Sequence, residues 1–376
     1  MIYLDNAATS FPKAPGVAEA VSRFITDIGA NAGRSSYSTA RQSSRIIYQT
    51  RKLLAKLLNT DNSSNICFTM NTTQALNIAI KGIVKPGFKV LISPYEHNSV
   101  MRPLRQLESQ INITLDFIKI NDYDINWQHL KDQLEQKPDL LIITAASNVN
   151  GYLLPYNKIA RMAHKYDIPV ILDAAQVLGS NPVNAKDFDI ICFPGHKGLL
   201  GPMGTGGLYV SDSISLLSLM PGGTGSRSSS EYQPDDLPDL LESGTPNLPG
   251  LAGLQVSVQF ILDTGIDVIA ARKLQLTSQL IQELAEIDGI IIHSPIDPKL
   301  QSGVVSFTSL KYSISDLAWE FDKADIACRM GMHCAPTAHK QLGTYENGGT
   351  LRLSPGYFNI AAEIDTTIKL IKDLHK

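Results

Sequence analysis

Short runs of apolar residues recur along the first half of the chain, and each is long enough for a β-strand but too short for a helix. The runs are NICFTM (65–70), FKVLISPYEH (88–97), DLLIITAASN (139–148), IPVILDAAQ (168–176) and DIICFPGHK (189–197). Between them lie helix-length segments such as TTQALNIAIKGIV (72–84) and YNKIARMAHKY (156–166). Uninterrupted apolar strands that alternate with helices are typical of parallel βαβ units. The pattern therefore predicts an α/β fold with a large, doubly wound, mostly parallel sheet.

The composition changes over residues 221–250, where Gly, Ser, Pro and Asp are concentrated. This segment predicts a long loop at a domain boundary. Two helical patterns follow it, and then three short strand patterns, IIIHS (290–294), SGVVSFTS (302–309) and TLRLSPG (350–356). A chain of 376 residues favours two domains. We predict a large domain over 15–245, and a smaller α+β domain formed by 1–14 and 246–376.

Polar residues follow the apolar strands, one strand after another. They are His97, Asn148, Asp173 with Gln176, and His196 with Lys197. In open parallel sheets the ligand crevice lies beyond the carboxyl ends of the strands. These residues are therefore candidates for one site. A structural role is also open at this point, since Asp173 would serve as a helix cap, and His97 or Gln176 as ordinary hydrogen-bonding residues.

Lys197 lies between an apolar strand and the glycine-rich segment GLLGPMGTGG (198–207). Burial disfavours an ammonium ion, so it lowers the pKa of a lysine and makes its amine a nucleophile towards carbonyls. The glycines allow the backbone to approach a neighbour closely. A P-loop is excluded, because its lysine follows the glycines and precedes Ser or Thr.

A lysine that reacts with a carbonyl points to pyridoxal phosphate, and the other groups that this cofactor needs are present. Asp173 is a carboxylate for the pyridine nitrogen. Thr72 and Thr73 stand where a strand meets a helix, a position that suits the phosphate. His97 is available to stack on the ring.

Charge and cysteine content narrow the class of protein. The net charge is −3 and Lys and Arg do not cluster, so neither a nucleic acid nor an anionic membrane is an expected partner. Four cysteines in a chain of this length indicate a reducing compartment rather than a disulfide framework. The start MIYLDNAATS lacks the pattern of a signal peptide, and no apolar run is long enough to span a bilayer. We expect a cytoplasmic protein.

Several segments resemble the class V aminotransferase family of fold-type I pyridoxal-phosphate enzymes, and within it the cysteine desulfurases. The segments are YLDNAATSFP (3–12), NTTQALN (71–77), YEHNS (95–99), SNVNG (147–151), LDAAQ (172–176), GHKGLLGPMGTGGLYV (195–210) and GGTGS (222–226). The resemblance implies that Lys197 carries the cofactor in the company of His196, and that Gln176 bonds its phenolic oxygen. It implies that Asn148 contacts cofactor and substrate. It also implies a homodimer in which Thr224 reaches the phosphate of the partner subunit's cofactor.

The reaction type depends on the last third of the chain. CRMGMHCAP (328–336) resembles the segment that carries the persulfide-forming cysteine in desulfurases with a short catalytic loop, which implies that Cys334 is the nucleophile. TLRLSPGYFN (350–359) resembles the segment whose arginine, here Arg352, clamps the substrate carboxylate. Arg34 matches another substrate-binding position. The family's loop usually has a histidine where Met332 stands, and the histidine often found just after the position of Arg34 is absent.

The residues themselves give Cys334 further support and leave alternatives open. Arg329 and His333 are expected to favour its thiolate, whereas Cys328, Cys67 and Cys192 occupy apolar settings and are expected to be inert. Two alternatives to a nucleophilic Cys334 stay open. One is a loop cysteine with a purely structural role, and the other is a metal site formed by His333, Cys334 and His339.

The implied activity converts L-cysteine to L-alanine, with Lys197 and His97 moving protons and Cys334 taking the sulfur as a persulfide. A sulfur-acceptor protein is a further expected partner. Selenocysteine lyase, which depends less on the cysteine, is the nearest alternative. Two more distant alternatives are another class V reaction on a small amino acid and a non-catalytic pyridoxal-phosphate protein.

Overall fold

The computed structural model describes residues 1–33 and 37–376. Its strands are β1 (Ile2–Tyr3), β2 (Ile66–Thr69), β3 (Lys89–Ile92), β4 (Thr114–Phe117), β5 (Ile120–Asn121), β6 (Asp124–Ile125), β7 (Leu140–Thr144), β8 (Val170–Asp173), β9 (Ile190–Pro194), β10 (Gly206–Val210), β11 (Ile290–Ile292), β12 (Val305–Ser309), β13 (Ile326–Ala327), β14 (Arg329–Gly331) and β15 (Thr350–Leu353).

The α-helices are distributed between and after these strands. They are α1 (Val17–Arg23), α2 (Ser38–Leu57), α3 (Thr72–Ile83), α4 (Asn98–Ile111), α5 (Trp127–Glu135), α6 (Tyr156–His164), α7 (Leu248–Thr264), α8 (Ile266–Ala285), α9 (Ile314–Lys323), α10 (Pro336–Gln341) and α11 (Ala361–His375).

The large sheet has the strand order β2-β10-β9-β8-β7-β3-β4. Strands β9, β8, β7, β3 and β4 run parallel, and β10 is antiparallel to both of its neighbours. Successive residues of a strand enter opposite cores: in β7, Leu141 and Ile143 belong to one apolar cluster, and Leu140 and Ile142 to the other. Both faces of the sheet are therefore buried, which explains the uninterrupted apolar runs and confirms the predicted α/β fold.

A second unit follows the long loop. Its antiparallel sheet has the order β11-β12-β15-β14, and its core contains residues of α8, α9 and α11. Strand β1 pairs in parallel with β13, so the first residues of the chain lie against this unit. Helix α7 instead packs on α1 and α2. The domain limits given above stay a prediction.

The segment between β10 and α7 (211–247) contains no helix or strand in the part of the chain that the structure describes. A buried ion pair attaches it to the large unit. Arg51 donates to both carboxylate oxygens of Glu242, at 2.7 and 2.9 Å, and the same carboxylate accepts the backbone N–H of Phe68 at 2.6 Å. The guanidinium lies 4.5 Å from the centre of the Phe68 ring. The loop that carries Thr224 is thereby held beside the strand that leads to Thr72.

Across the described residues, no single helix is both long enough and apolar enough to cross a membrane. Helices α7 and α8 reach that length and apolar content only when they are taken together, and the chain bends by 84° between them.

Candidate active site

A cavity of about 100 Å³ lies at the carboxyl ends of β7, β8 and β9. It brings together eight of the nine residues predicted to bind the cofactor. They are Thr72, Thr73, His97, Asn148, Asp173, Gln176, His196 and Lys197. Their sequence positions span more than a hundred residues, and the parallel arrangement of the strands places them at one edge.

Lys197 is half-buried in this cavity, three residues after β9 ends. Burial lowers its pKa to about 8, while the charge of Asp173 acts in the opposite direction and that of Arg352 in the same one. Within the described part of the chain, burial and nearby charges act on its amine, and no hydrogen bond does. At neutral pH an amine with a pKa of about 8 is mostly protonated, but about a tenth of it is in the free form that attacks carbonyls, far more than for an ordinary lysine.

The glycine after Lys197 is required by close packing. A Cβ on Gly198 would collide with the backbone oxygen of Leu178. Further along the same segment, a Cβ on Gly206 would lie 2.9 Å from the Phe193 oxygen and 3.0 Å from backbone atoms of Asn71. These two glycines therefore let the chain between β9 and β10 pass close to the backbone of Leu178 at one point and of Asn71 at another.

Asp173 ends β8 and is 3% exposed. Burial raises the pKa of its carboxyl, and a hydrogen bond of 3.0 Å from the backbone N–H of Ala175 and the charge of Lys197 lower it. A second carboxyl, that of Glu96, is completely buried nearby. Burial, with a further contribution from the charge of Asp173, raises the pKa of Glu96 to about 8. Glu96 is therefore largely protonated at neutral pH.

Glu96 joins the ends of β3 and β7. Its Oε1 accepts the Ser93 hydroxyl at 2.5 Å and the backbone N–H of Thr144 at 2.6 Å, and Oε2 is buried without a partner. Sequence reasoning missed this residue, although it stands in the YEHNS segment directly before His97. Its neighbours in the sequence, Tyr95 and His97, give no sign that its carboxyl is buried beside the site.

His97 caps helix α4. Its Nδ1 accepts the backbone N–H of Ser99 at 3.0 Å and lies 2.9 Å from the Ser99 hydroxyl. Burial, and next the charge of Lys197, lower its pKa to about 4, so the imidazole is neutral. The Ser99 hydroxyl also lies 2.8 Å from that of Thr73 in the first turn of α3. A neutral ring and a pair of hydroxyls at a helix N-terminus thus face the same cavity.

Gln176 and His196 are fixed by the start of the chain. The Gln176 amide donates to the backbone oxygen of Ala7 at 3.1 Å, and Nδ1 of His196 lies 3.1 Å from the Thr9 hydroxyl. Burial and the charge of Lys197 lower the pKa of His196 to about 4. The segment YLDNAATSFP therefore forms one wall around Lys197.

Cys334 is exposed and lines a groove of about 430 Å³. The groove shares Thr73, His97 and Ser99 with the cavity of Lys197, so the two are adjoining spaces. The Cys334 carbonyl accepts the backbone N–H of Asn98 at 2.8 Å, at the start of α4. His333 and Cys334 both have left-handed backbone conformations, with φ of 46° and 56°. Consecutive non-glycine residues in this region are strained, and such strain is concentrated at functional sites.

The expectation that His333 supplies a positive charge to the thiolate is wrong. Its ring is 5% exposed, and Nε2 lies 3.1 Å from both the backbone oxygen and the hydroxyl of Thr350. Burial lowers its pKa to about 2, with Arg352 and His339 adding to the effect, so the imidazole is uncharged. The buried guanidinium of Arg352, by contrast, is charged and interacts electrostatically with Cys334.

Arg352 is 2% exposed on β15. It donates to the backbone oxygen of Asn148 at 2.8 Å and to Oδ1 of Asp5 at 2.7 Å, while its Nε is buried without a partner. Burial lowers its pKa, and the charges of Asp5 and Cys334 raise it. Asn148 in turn donates from its amide to the backbone oxygen of His333 at 2.5 Å. The strand ends, the arginine and the cysteine loop are thus connected.

The remaining candidates are Arg34, Thr224 and the other three cysteines. Arg34 falls outside the described residues. Thr224 lines a separate cavity of about 480 Å³, where its hydroxyl lies 3.0 Å from that of Ser226. Cys67 and Cys192 are buried in strands, and burial raises the pKa of Cys328 to about 12. Within the described part of the chain, no group of three or more His, Cys, Asp and Glu side chains is placed to hold a metal ion.

The sequence profile of the class-V aminotransferase family matches residues 2–367. The chain belongs to this family. Members of the class-V aminotransferase family generally depend on pyridoxal phosphate.

Relatives within the family are named as desulfurases. A protein of Methanothermobacter thermautotrophicus named a probable cysteine desulfurase is 32% identical, with 99% of this chain and 94% of the relative aligned. A cysteine desulfurase of Escherichia coli O127:H6 is 28% identical over 100% of this chain and 94% of its own. The apo structure of a cysteine desulfurase from Thermococcus onnurineus has a TM-score of 0.94 at 28% identity, covering 100% of this chain and 94% of that one.

The groups around the cavity fit the cofactor of this class-V family. A lysine amine without a partner, a buried carboxyl, a neutral imidazole and a hydroxyl at a helix N-terminus are the functional groups needed for its aldehyde, ring nitrogen, ring face and phosphate.

Proposed function

We propose that this protein is a pyridoxal-phosphate-dependent cysteine desulfurase that converts L-cysteine to L-alanine and takes the sulfur on Cys334 as a persulfide. The observation that carries the proposal is the adjacency of two sites. The exposed Cys334 lines a groove that shares His97, Thr73 and Ser99 with the cavity of Lys197. The amine of Lys197 and the exposed thiol of Cys334 therefore line adjoining spaces, as a lysine-bound cofactor and a sulfur-accepting thiol would require.

The cofactor would be held by four groups of the chain. Lys197 provides the amine, Asp173 the carboxyl for the ring nitrogen, Thr73 with the N-terminus of α3 the phosphate site, and His97 the stacking ring. When bound, pyridoxal phosphate supplies an electron sink for the bonds at the substrate's α-carbon.

Three residues of the chain bind the substrate, move its proton and accept its sulfur. Arg352 receives the substrate carboxylate, for which its unpartnered Nε is available. Lys197, whose pKa of about 8 lets it both accept and return a proton near neutral pH, moves the α-proton. The Cys334 thiolate attacks the sulfur of L-cysteine. The new S–S bond forms as the Cβ–S bond breaks. The electron pair of the broken bond stays with Cβ, which takes up a proton, and Lys197 returns the α-proton, so the product leaves as L-alanine.

Two further parts of the proposal concern partners and location. We propose a homodimer in which Thr224 contributes to the partner subunit's site. The support for an interface is that three large apolar side chains are exposed near the Thr224 cavity or on its loop, those of Met70, Leu217 and Met220. We also propose a cytoplasmic enzyme that passes sulfur to an acceptor thiol, in keeping with four cysteines that are all free.

The test is a product assay with a thiol reductant present. Wild-type protein is expected to release L-alanine and sulfide in equal amounts from L-cysteine, and Lys197→Ala is expected to release neither. A protein that binds the cofactor but releases alanine only from L-selenocysteine would be a selenocysteine lyase. Turnover of another amino acid alone would exclude desulfuration.

A further inference from the structure

The arginine that we propose as the substrate clamp already holds a carboxylate of its own chain. Arg352 is almost fully buried, and its Nη2 donates to Asp5 at 2.7 Å. Nη1 donates to a backbone oxygen, that of Asn148, at 2.8 Å. The guanidinium has five N–H donors. Nε is buried and unpartnered, so the side chain is not saturated.

Asp5 is placed beside Arg352 by backbone pairing that does not involve its side chain. Residue 5 forms a parallel bridge to Ser354, the residue directly after β15, and its carbonyl accepts the backbone N–H of Ala8 at 3.0 Å. The preceding Leu4 donates to the backbone oxygen of Ala327 at 2.9 Å. The side chain of Asp5 is 19% exposed, unlike the arginine it contacts. A change of the side chain alone therefore leaves these backbone contacts available.

We propose that Asp5 sets the affinity of the site for carboxylates. Its charge offsets that of Arg352 and occupies one of its donors, so the substrate binds to a partly neutralised arginine through the N–H groups that remain. The incoming carboxylate either shares the guanidinium with Asp5 or displaces it. In both cases the charge of Asp5 weakens carboxylate binding. Removing the charge of Asp5 strengthens carboxylate binding, because two anions at one guanidinium repel each other.

This role is distinct from orienting the arginine. An orienting partner needs only a hydrogen-bond acceptor, which Asn supplies as well as Asp does, whereas an electrostatic competitor needs the charge. Of the other charges that act on Arg352, that of Arg329 is positive and that of Cys334 is negative, and neither group forms an ion pair with it in the described part of the chain. Asp5 is the acid that contacts Arg352 within the described residues.

The inference rests on the proposed function, in which Arg352 receives the carboxylate of the amino-acid substrate. The experiment uses propionate, a carboxylate that has neither amine nor thiol, and measures its dissociation constant for the cofactor-loaded protein by calorimetry. The variants are Asp5→Asn, Asp5→Ala and Arg352→Gln. Asp325→Asn is the matched control, because Asp325 is an exposed aspartate that pairs with the N-terminal amine of the same chain segment, and in the described part of the chain no ion pair joins it to Arg352.

The expected result is that Asp5→Asn binds propionate about tenfold more tightly than wild type, and that its KM for L-cysteine falls while kcat does not rise. Asp5→Ala is expected to tighten binding as well, and it provides the same test if Asp5→Asn does not fold. Asp325→Asn is expected to match wild type, and Arg352→Gln to abolish propionate binding.

Propionate binding to Asp5→Asn that is equal to or weaker than wild type would overturn the inference. So would propionate binding that is unaffected by Arg352→Gln. If the affinity changes as expected but no alanine is released from L-cysteine, the role of Asp5 stands and the proposed desulfurase activity fails.

Discussion

The backbone N–H of Asn98 donates to the carbonyl of Cys334 at 2.8 Å. This bond joins the N-terminus of the helix that begins after His97 to the strained loop that carries the thiol. The two residues are 236 positions apart in sequence, and both line the groove that adjoins the cavity of Lys197. The thiol is thereby held at the entrance to the lysine site while its side chain stays exposed.

The first prediction concerns the pH dependence of Lys197. Its pKa is lowered to about 8, so the amine is mostly an ammonium ion below that pH and mostly free above it. We expect the rate of pyridoxal-phosphate uptake by cofactor-depleted protein to rise with pH, to be half-maximal near pH 8 and then to level off. The change in cofactor absorbance measures the rate, and Lys197→Ala shows which part of the signal belongs to this residue. A rate that keeps rising to pH 10 would mean that Lys197 has an ordinary pKa.

Close packing at Gly198 leads to a second prediction. Gly198→Ala places a methyl group against the oxygen of Leu178, so we expect a loss of stability of about 1–3 kcal/mol and weaker cofactor retention. Gly223→Ala is the control, because no atom lies within 4 Å of a Cβ at that position. Its free energy of unfolding is expected to stay within about 0.5 kcal/mol of wild type. Equal effects of the two substitutions would argue against the packing explanation.

Glu96 predicts a specific dependence of stability on pH. Its folded pKa of about 8 exceeds its ordinary value, so the folded protein keeps a proton that the unfolded chain releases. The contribution of Glu96 to stability is therefore fully present below its ordinary pKa and is lost as pH rises through 8. In Glu96→Gln we expect stability to fall less steeply between pH 5 and 8 than in wild type. Urea unfolding at several pH values measures this slope, and unchanged slopes would show that Glu96 is ionised in the folded state.

The ion pair that anchors the Thr224 loop gives a fourth prediction. Arg51 and Glu242 have side-chain exposures of only 8% and 19%, so neutralising one leaves the other buried without its charged partner. Glu242→Gln is expected to lower the free energy of unfolding by about 3 kcal/mol. The double variant Arg51→Met with Glu242→Leu is expected to regain much of this loss, because it leaves no unpaired charge. Denaturant unfolding of the single and double variants checks both statements, and a fully additive double variant would contradict the buried pairing.

The sheet and most of the cavity were predictable from the sequence because their signals are local. A buried parallel strand needs apolar residues at every position, and polar residues directly after such strands meet at one edge. This is why Asp173, Gln176 and Lys197 were found together. The same reasoning placed Thr72 and Thr73 at the start of a helix.

Other features depend on contacts or burial that no local pattern contains. The pairing of Asp5 with Arg352 joins residues 347 positions apart. The uncharged state of His333 follows from its burial against β15, whereas its sequence neighbours suggested a basic loop. Glu96 stands beside a recognised motif, but only the structure shows that its carboxyl is buried between two strand ends.

The claim that Cys334 takes the sulfur is tested most directly by mass spectrometry after a single incubation with L-cysteine in the absence of reductant. The account predicts one added sulfur atom on the peptide that contains Cys334, together with about one alanine per subunit. Cys328→Ala is the control, because burial raises the pKa of this neighbouring thiol, and it is expected to give the same result as wild type. Cys334→Ala is expected to give neither the added sulfur nor the alanine. Alanine release by Cys334→Ala at the wild-type rate, with no sulfur added to the Cys334 peptide of wild type, would contradict the account.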